Sequence, residues 1–196
     1  MDKDNIQEKL VETGRKIIKE KGIAYLTARN LSEASGYSVG TIYNQFGNMD
    51  NFVLVQNYLT LEALLQKMEK IKTNFAYQRL NLLVETFSMF VLENRNFWLM
   101  LFNFHLNQGS RVFSKTYLRH ISKIVMLIDD AFCQMYPRLK PEKRHVSTQV
   151  LWITLFALSS LLTTDAIKTY SKIEPSKICS FLLNTYLSGL KLIEKA

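Results

Sequence analysis

The segment "GYSVGTIYNQFGNMDNF", residues 36–52, sets the hydroxyls of Ser38, Thr41 and Tyr43 beside the amide of Asn44. Neutral donors of this kind bind phosphate oxygens without a formal charge, and main-chain N–H groups at a helix N-terminus do the same. The chemistry on offer is recognition of a polyanion. Charge is locally missing, because no Lys or Arg occurs between Asn30 and Gln66. Bond-making chemistry has no constellation. His105, His120 and His145 with Cys133 and Cys179 lack metal-ligand spacing, and there is no Gly-rich phosphate loop and no nucleophile elbow. The expectation is a protein that is not an enzyme, without catalytic residues, metal or cofactor.

Helices must position these groups. Ile6, Leu10, Ile17 and Ile18 share one helical face, with Asp2 or Asp4 placed to cap its start and Gly22 to end it. Thr27 opens a second helix with Leu31 and Ala34 inward, and Gly36 closes it. Ser38 caps a short third helix carrying Val39, Ile42, Tyr43 and Phe46; Gly47 and Asn48 break it. Asp50 supports a fourth helix to about Lys72. Further helices are expected at 77–94, 96–107, 111–136, 142–170 and 175–194, punctuated by Pro137, Pro141 and Pro175. No stretch of period-two alternation is long enough for a convincing strand. The fold class is all-α, about nine helices, with a small bundle over 1–48 passing into a larger one over 49–196.

Two short helices joined by a tight glycine turn, the second exposing small polar residues, form a reader of the DNA major groove. The string "LTARNLSEASGYSVGTIYNQFGNMDNF" resembles the DNA-binding domain of the tetracycline-repressor (TetR) family of bacterial transcription regulators. The resemblance rests on Thr27, Gly36, Ser38, the Gly40-Thr41 pair, the Tyr43 and Phe46 spacing, and the break before helix 4. It is specific over about residues 6–55. It implies that the third helix enters the major groove, with Tyr43 on a phosphate and Thr27 and Thr41 giving hydroxyls to the backbone. Arg29, Ser38, Val39 and Asn44 match positions near base edges. Two departures stand out: the family often has lysine where this chain has Val39, and very commonly where it has Met49.

The totals refine this. The net charge of +8 suggests a nucleic-acid partner, yet residues 1–50 hold seven basic and seven acidic side chains, so the excess lies beyond them. The motif, not the isoelectric point, carries the DNA argument. Arg29 and the helix 1 lysines are the expected source of local charge. Cys133 and Cys179 sit in apolar periodic stretches and are expected to be buried free thiols of a cytoplasmic protein. The uncharged run 146–164 is nineteen residues long, near a membrane span, but its Ser, Thr and Gln content favours a helix covered on two sides, with no membrane partner.

The C-terminal helices suggest partners. Leu151, Leu155, Leu158 and Leu162 in one helix, with Leu183, Tyr186, Leu187 and Leu190 in the last, are the candidate homodimer interface, a four-helix bundle between copies. Family members dimerise in that way. The middle helices are rich in large apolar side chains, and Phe87, Phe90, Trp98, Leu101, Phe104, His105 and Tyr117 are candidate contacts for an apolar small-molecule effector, with Asn103 and Gln108 as further polar anchors. The expected function is a ligand-responsive regulator of a palindromic double-stranded DNA operator, a repressor released when the effector alters the spacing of the recognition helices from about one DNA turn, roughly 34–36 Å. The alternative is a sensor or carrier of the same fold that has lost operator binding and acts through a protein partner.

Overall fold

The computed structural model describes residues 3–107, 114–164, 169 and 172–195. Among them the chain forms nine α-helices: α1 (Lys3–Lys21), α2 (Ala28–Ser35), α3 (Val39–Phe46), α4 (Met49–Glu69), α5 (Ala76–Glu93), α6 (Arg95–Asn107), α7 (Lys115–Met135), α8 (Pro141–Leu162) and α9 (Pro175–Lys195). A 3-10 turn at Ile23–Tyr25 joins α1 to α2, and the described residues contain no strand. The all-α reading holds. Gln108 and the start of the helix expected from residue 111 lie outside the described residues.

Two compact units emerge: Met1–Leu61 with Asn94–Arg111, and Glu62–Glu93 with Val112–Ala196. The core of the first gathers Leu10, Ile18, Leu31, Ile42 and Phe52, and α6 adds Phe97 and Met100 to it. Two polar contacts hold α6 there: Asn96 donates to the Lys19 carbonyl at 3.1 Å, and the Arg15 guanidinium lies 4.1 Å from the Phe97 ring centre. Helices α1 and α4 approach closely at Gly14, where an added Cβ would stand 2.5 Å from the tip of the Phe52 ring. Phe52 is fully buried and set edge-on to Phe46, with ring centres 4.7 Å apart.

In the second unit α8 packs on α5, α7 and α9. It is long and apolar enough to cross a membrane by length and composition alone; 44% of that stretch is buried inside the chain, where it packs on these neighbours. Tyrosine hydroxyls tie the layers: Tyr186 donates to the Ser147 carbonyl at 2.7 Å, and Tyr136 to that of Leu187 at 3.1 Å. Helix α8 stops at Leu162, short of the expected 170. The Thr163 and Thr164 hydroxyls bond the Ser160 and Leu161 carbonyls at 2.6 and 2.7 Å, engaging acceptors at the helix end.

Burial bears on two expectations. Leu151, Leu155, Leu162, Leu183, Leu187 and Leu190 are each at most 4% exposed inside their own chain. They belong to the core of their own chain; Leu158 and Tyr186 are half-buried, the latter through its bond to Ser147. The apolar residues that these helices leave exposed are Val146, Val150, Ile153 and Leu161 on α8 and Phe181, Leu192 and Ile193 on α9. Cys133 is exposed and only Cys179 is buried, both as free thiols. Position on an apolar helix did not decide which side of α7 Cys133 occupies.

Candidate nucleic-acid interface

The α2–turn–α3 unit is specified within a few residues of each cap. Thr27 accepts from the Asn30 N–H at 3.1 Å to start α2, and Gly36 ends it with φ of 77°, a left-handed conformation that favours glycine. The turn is braced twice. Ser32 donates to the Tyr37 carbonyl at 2.6 Å, and the Tyr37 N–H donates to the Ser35 hydroxyl at 3.3 Å. Ser38 then caps α3, accepting from the Thr41 N–H at 3.1 Å, and its hydroxyl also lies 2.9 Å from that of Thr41. Asn48 caps α4 by accepting from Asn51 N–H at 2.8 Å, a cap that the sequence reading assigned to no residue.

Burial divides α3 cleanly. Ile42 and Phe46 face the core, while Ser38, Val39, Gly40, Tyr43 and Asn44 are exposed and Thr41 is half-buried. Val39 is 37% and Tyr43 44% exposed, so both side chains are accessible on the outer face of α3. Thr27 and Arg29 are exposed on neighbouring α2. Seven of the nine expected DNA-facing residues are therefore exposed on or beside α3, and Thr41 and Met49 are half-buried. Met49 is the exception in character: half-buried, it packs against the core of this unit, which explains why an apolar side chain suits that position.

The electrostatics are sparse. Helix α3 holds no charged residue, and Arg29 is engaged by Glu33 at 3.1 Å in an exposed pair. Lys9 stands over the Tyr37 ring at 5.2 Å. Arg15 is occupied by the Gln56 carbonyl at 3.2 Å and by Phe97, and burial lowers its pKa from the ordinary arginine value while leaving it charged at neutral pH. Arg15 is thus a packing cation, not a phosphate contact. What α3 itself offers an anion is neutral, hydroxyls and one amide with the open N–H groups at the starts of α2 and α3. Among the described residues, the exposed cations of this unit are Arg29 of α2 and Lys9, Lys16, Lys19 and Lys21 of α1.

The expected effector contacts divide between the two units. Trp98, Leu101, Phe104 and His105 are on α6 in the first; Phe87, Phe90 and Tyr117 are in the second. Trp98, Leu101 and Tyr117 are buried almost completely. His105 binds the Leu101 carbonyl at 2.8 Å, and burial lowers its pKa, the backbone bond opposing in part. Burial also raises the Tyr117 phenol above its ordinary value. Among the described residues no cluster of His, Cys, Asp or Glu is arranged to hold a metal.

Residues 10–55 match the family model described as bacterial regulatory proteins, tetR family. No curated protein matches the chain in sequence. Solved structures show the fold. A tetR-family regulator from Streptomyces coelicolor aligns over 99% of this chain and 83% of its own at 12% identity and TM-score 0.72. Thermus thermophilus FadR, a repressor solved with lauroyl-CoA, aligns over 93% and 94% at 14% identity and TM-score 0.70. BioQ, solved with its double-stranded DNA operator, aligns over 97% and 98% at 14% identity and TM-score 0.66.

Proposed function

From the match of residues 10–55 to the tetR family model of bacterial regulatory proteins, we propose that this chain is a cytoplasmic, homodimeric repressor released from a palindromic operator by an apolar small molecule. It is a binding protein, not an enzyme. The observation that carries the reading is the division of α3: Ile42 and Phe46 anchor it while Ser38, Val39, Gly40, Tyr43 and Asn44 face outward. Such a helix lies in a major groove, with Thr27, Thr41 and Tyr43 on phosphates and Arg29, Ser38, Val39 and Asn44 toward base edges. With Arg29 as its one charged member, this contact set gives binding with a shallow salt dependence.

The second copy docks on the exposed stripe of α8 (Val146, Val150, Ile153, Leu161), joined by Phe181 and Leu192 of α9. These positions recur at helical spacing, and two such helices from each copy make a four-helix seam. The effector is proposed to bind in the second unit, with Phe87, Phe90 and Tyr117 among its lining. That FadR was solved with lauroyl-CoA and BioQ with an operator supports both arms by analogy. The test is a mobility shift on the DNA beside the protein's own gene, at several salt concentrations, with fragments selected from random DNA as control. Retarded, competable binding to one palindrome is expected. Absence of any preferred fragment would transfer the function to the sensor that acts through a protein partner.

A further inference from the structure

Helices α7 and α8 enclose a groove of about 350 Å³ on the surface of the second unit. Leu118, Ile121, Val125 and Met126 of α7 form its apolar wall, and Trp152 of α8 also lines it. Its other end is polar, with Asp129, His145, Thr148 and Gln149. A second cavity, lined by Leu83, Val84, Phe87, Ile128 and Leu155, holds about 10 Å³, room for about one water. Trp152 lines both spaces. Its ring is 8% exposed and rests edge-on against Phe87, centres 5.5 Å apart, and tilted on Phe156 at 5.8 Å.

We propose that the α7–α8 groove is a binding site for a neutral single-chain amphiphile whose chain packs against Trp152. This deepens the ligand-responsive reading and rests on it. The groove's volume lies within the range of about 300–1,000 Å³ that small-molecule sites span. Its polar end sets the head group. Asp129 accepts from the Thr148 hydroxyl at 2.8 Å and faces the Arg144 guanidinium at 3.4 Å, so its charge is already balanced. A cationic head would compete with Arg144, and an anionic head would meet Asp129; a hydroxyl or amide head hydrogen-bonds with Gln149, His145 or the spare carboxylate lone pairs at no such cost. The chain passes the indole and lies along Val125, Ile121 and Leu118. The indole carries that contact to Phe87, a core residue of α5, against which it packs edge-on.

The experiment uses the full chain with n-decanol, decanoate and decylammonium as probes, followed by tryptophan emission and by calorimetry. Decanol should shift the emission saturably, and Trp152→Phe should remove that response. The two charged heads should bind about tenfold or more weakly, as expected when one charge is mispaired. Ser122 is an exposed groove residue, so Ser122→Phe should fill the groove without touching the core and weaken decanol about tenfold or more. Equal affinity for the three heads, no decanol binding, or undiminished binding to Ser122→Phe would each overturn the site. The two readings fail separately. Decanol that releases operator DNA equally from wild type and Ser122→Phe sinks the groove and leaves the ligand-responsive repressor standing. Decanol binding lost in Ser122→Phe, in a protein that selects no DNA, keeps the groove and sinks the repressor.

Discussion

Gly14→Ala is the perturbation whose sign the packing reverses. In the middle of α1 this change ordinarily stabilises by about 1 kcal/mol, because alanine is the better helix former. Here the new methyl would stand 2.5 and 2.6 Å from two ring atoms of Phe52 and 3.0 Å from Gln56 Nε2. The ring cannot swing aside, since Phe52 is fully buried and wedged against Phe46. Overpacking of this kind costs about 1–3 kcal/mol. Moving Gln56 also endangers its 3.1 Å bond to the Val11 carbonyl, worth about 1 kcal/mol. Against the propensity gain the net is a loss of about 2 kcal/mol, a fall in Tm of roughly 4–8 °C for a chain of this size. Thermal unfolding followed by circular dichroism measures it. Phe52→Leu, which trims the ring tip, should recover part of the loss in the double variant beyond additivity. A rise in Tm for Gly14→Ala alone would mean that α1 and α4 are not packed as described and that the N-terminal core relaxes freely.

The remaining expectations concern DNA, assembly and pH. Met49→Lys should leave its methylenes on the core and lift its ammonium toward the backbone, steepening log K against log salt by roughly 0.9. Tyr43→Phe should weaken binding with that slope nearly unchanged; a flat slope in the first and intact affinity in the second would unseat α3 from the groove. Ile153→Arg, at a residue 61% exposed, should give a folded monomer in sedimentation, whereas Leu183→Arg, 1% exposed, should unfold the chain. A dimer that survives Ile153→Arg would place the seam elsewhere. His105 has its pKa lowered by burial, so its neutral form is the folded one and the unfolded chain binds the extra proton. Stability should therefore decline as pH falls through and below the ordinary imidazole value, about 6.5, with a smaller decline in His105→Gln; identical pH profiles would remove His105 from the cause.

Local chemistry was legible in the sequence because it is decided within a few residues. The Thr27 and Ser38 caps bond their own backbone three residues on, and Gly36 and Gly47 take positive φ where other residues strain, so α2 and α3 follow from their letters. The same locality made Ile42 and Phe46 core and Tyr43 exposed. Even the shortfall of α8 follows from local hydroxyls at Thr163 and Thr164, outweighed at first reading by a long apolar run. What covers an apolar face is another matter. Hydrophobic burial has no direction, so the stripe Leu183, Leu187, Leu190 declares that α9 is covered without saying by what; packing within one chain answers it and leaves Phe181 and Leu192 for a partner. The recruitment of Phe97 and Met100 into the N-terminal core, the half-buried Met49 and the exposed Cys133 are decisions of the same sort. So is Trp152: its letter promises a large ring with one donor, and only the crossing of α7, α8 and α5 sets that ring between two cavities.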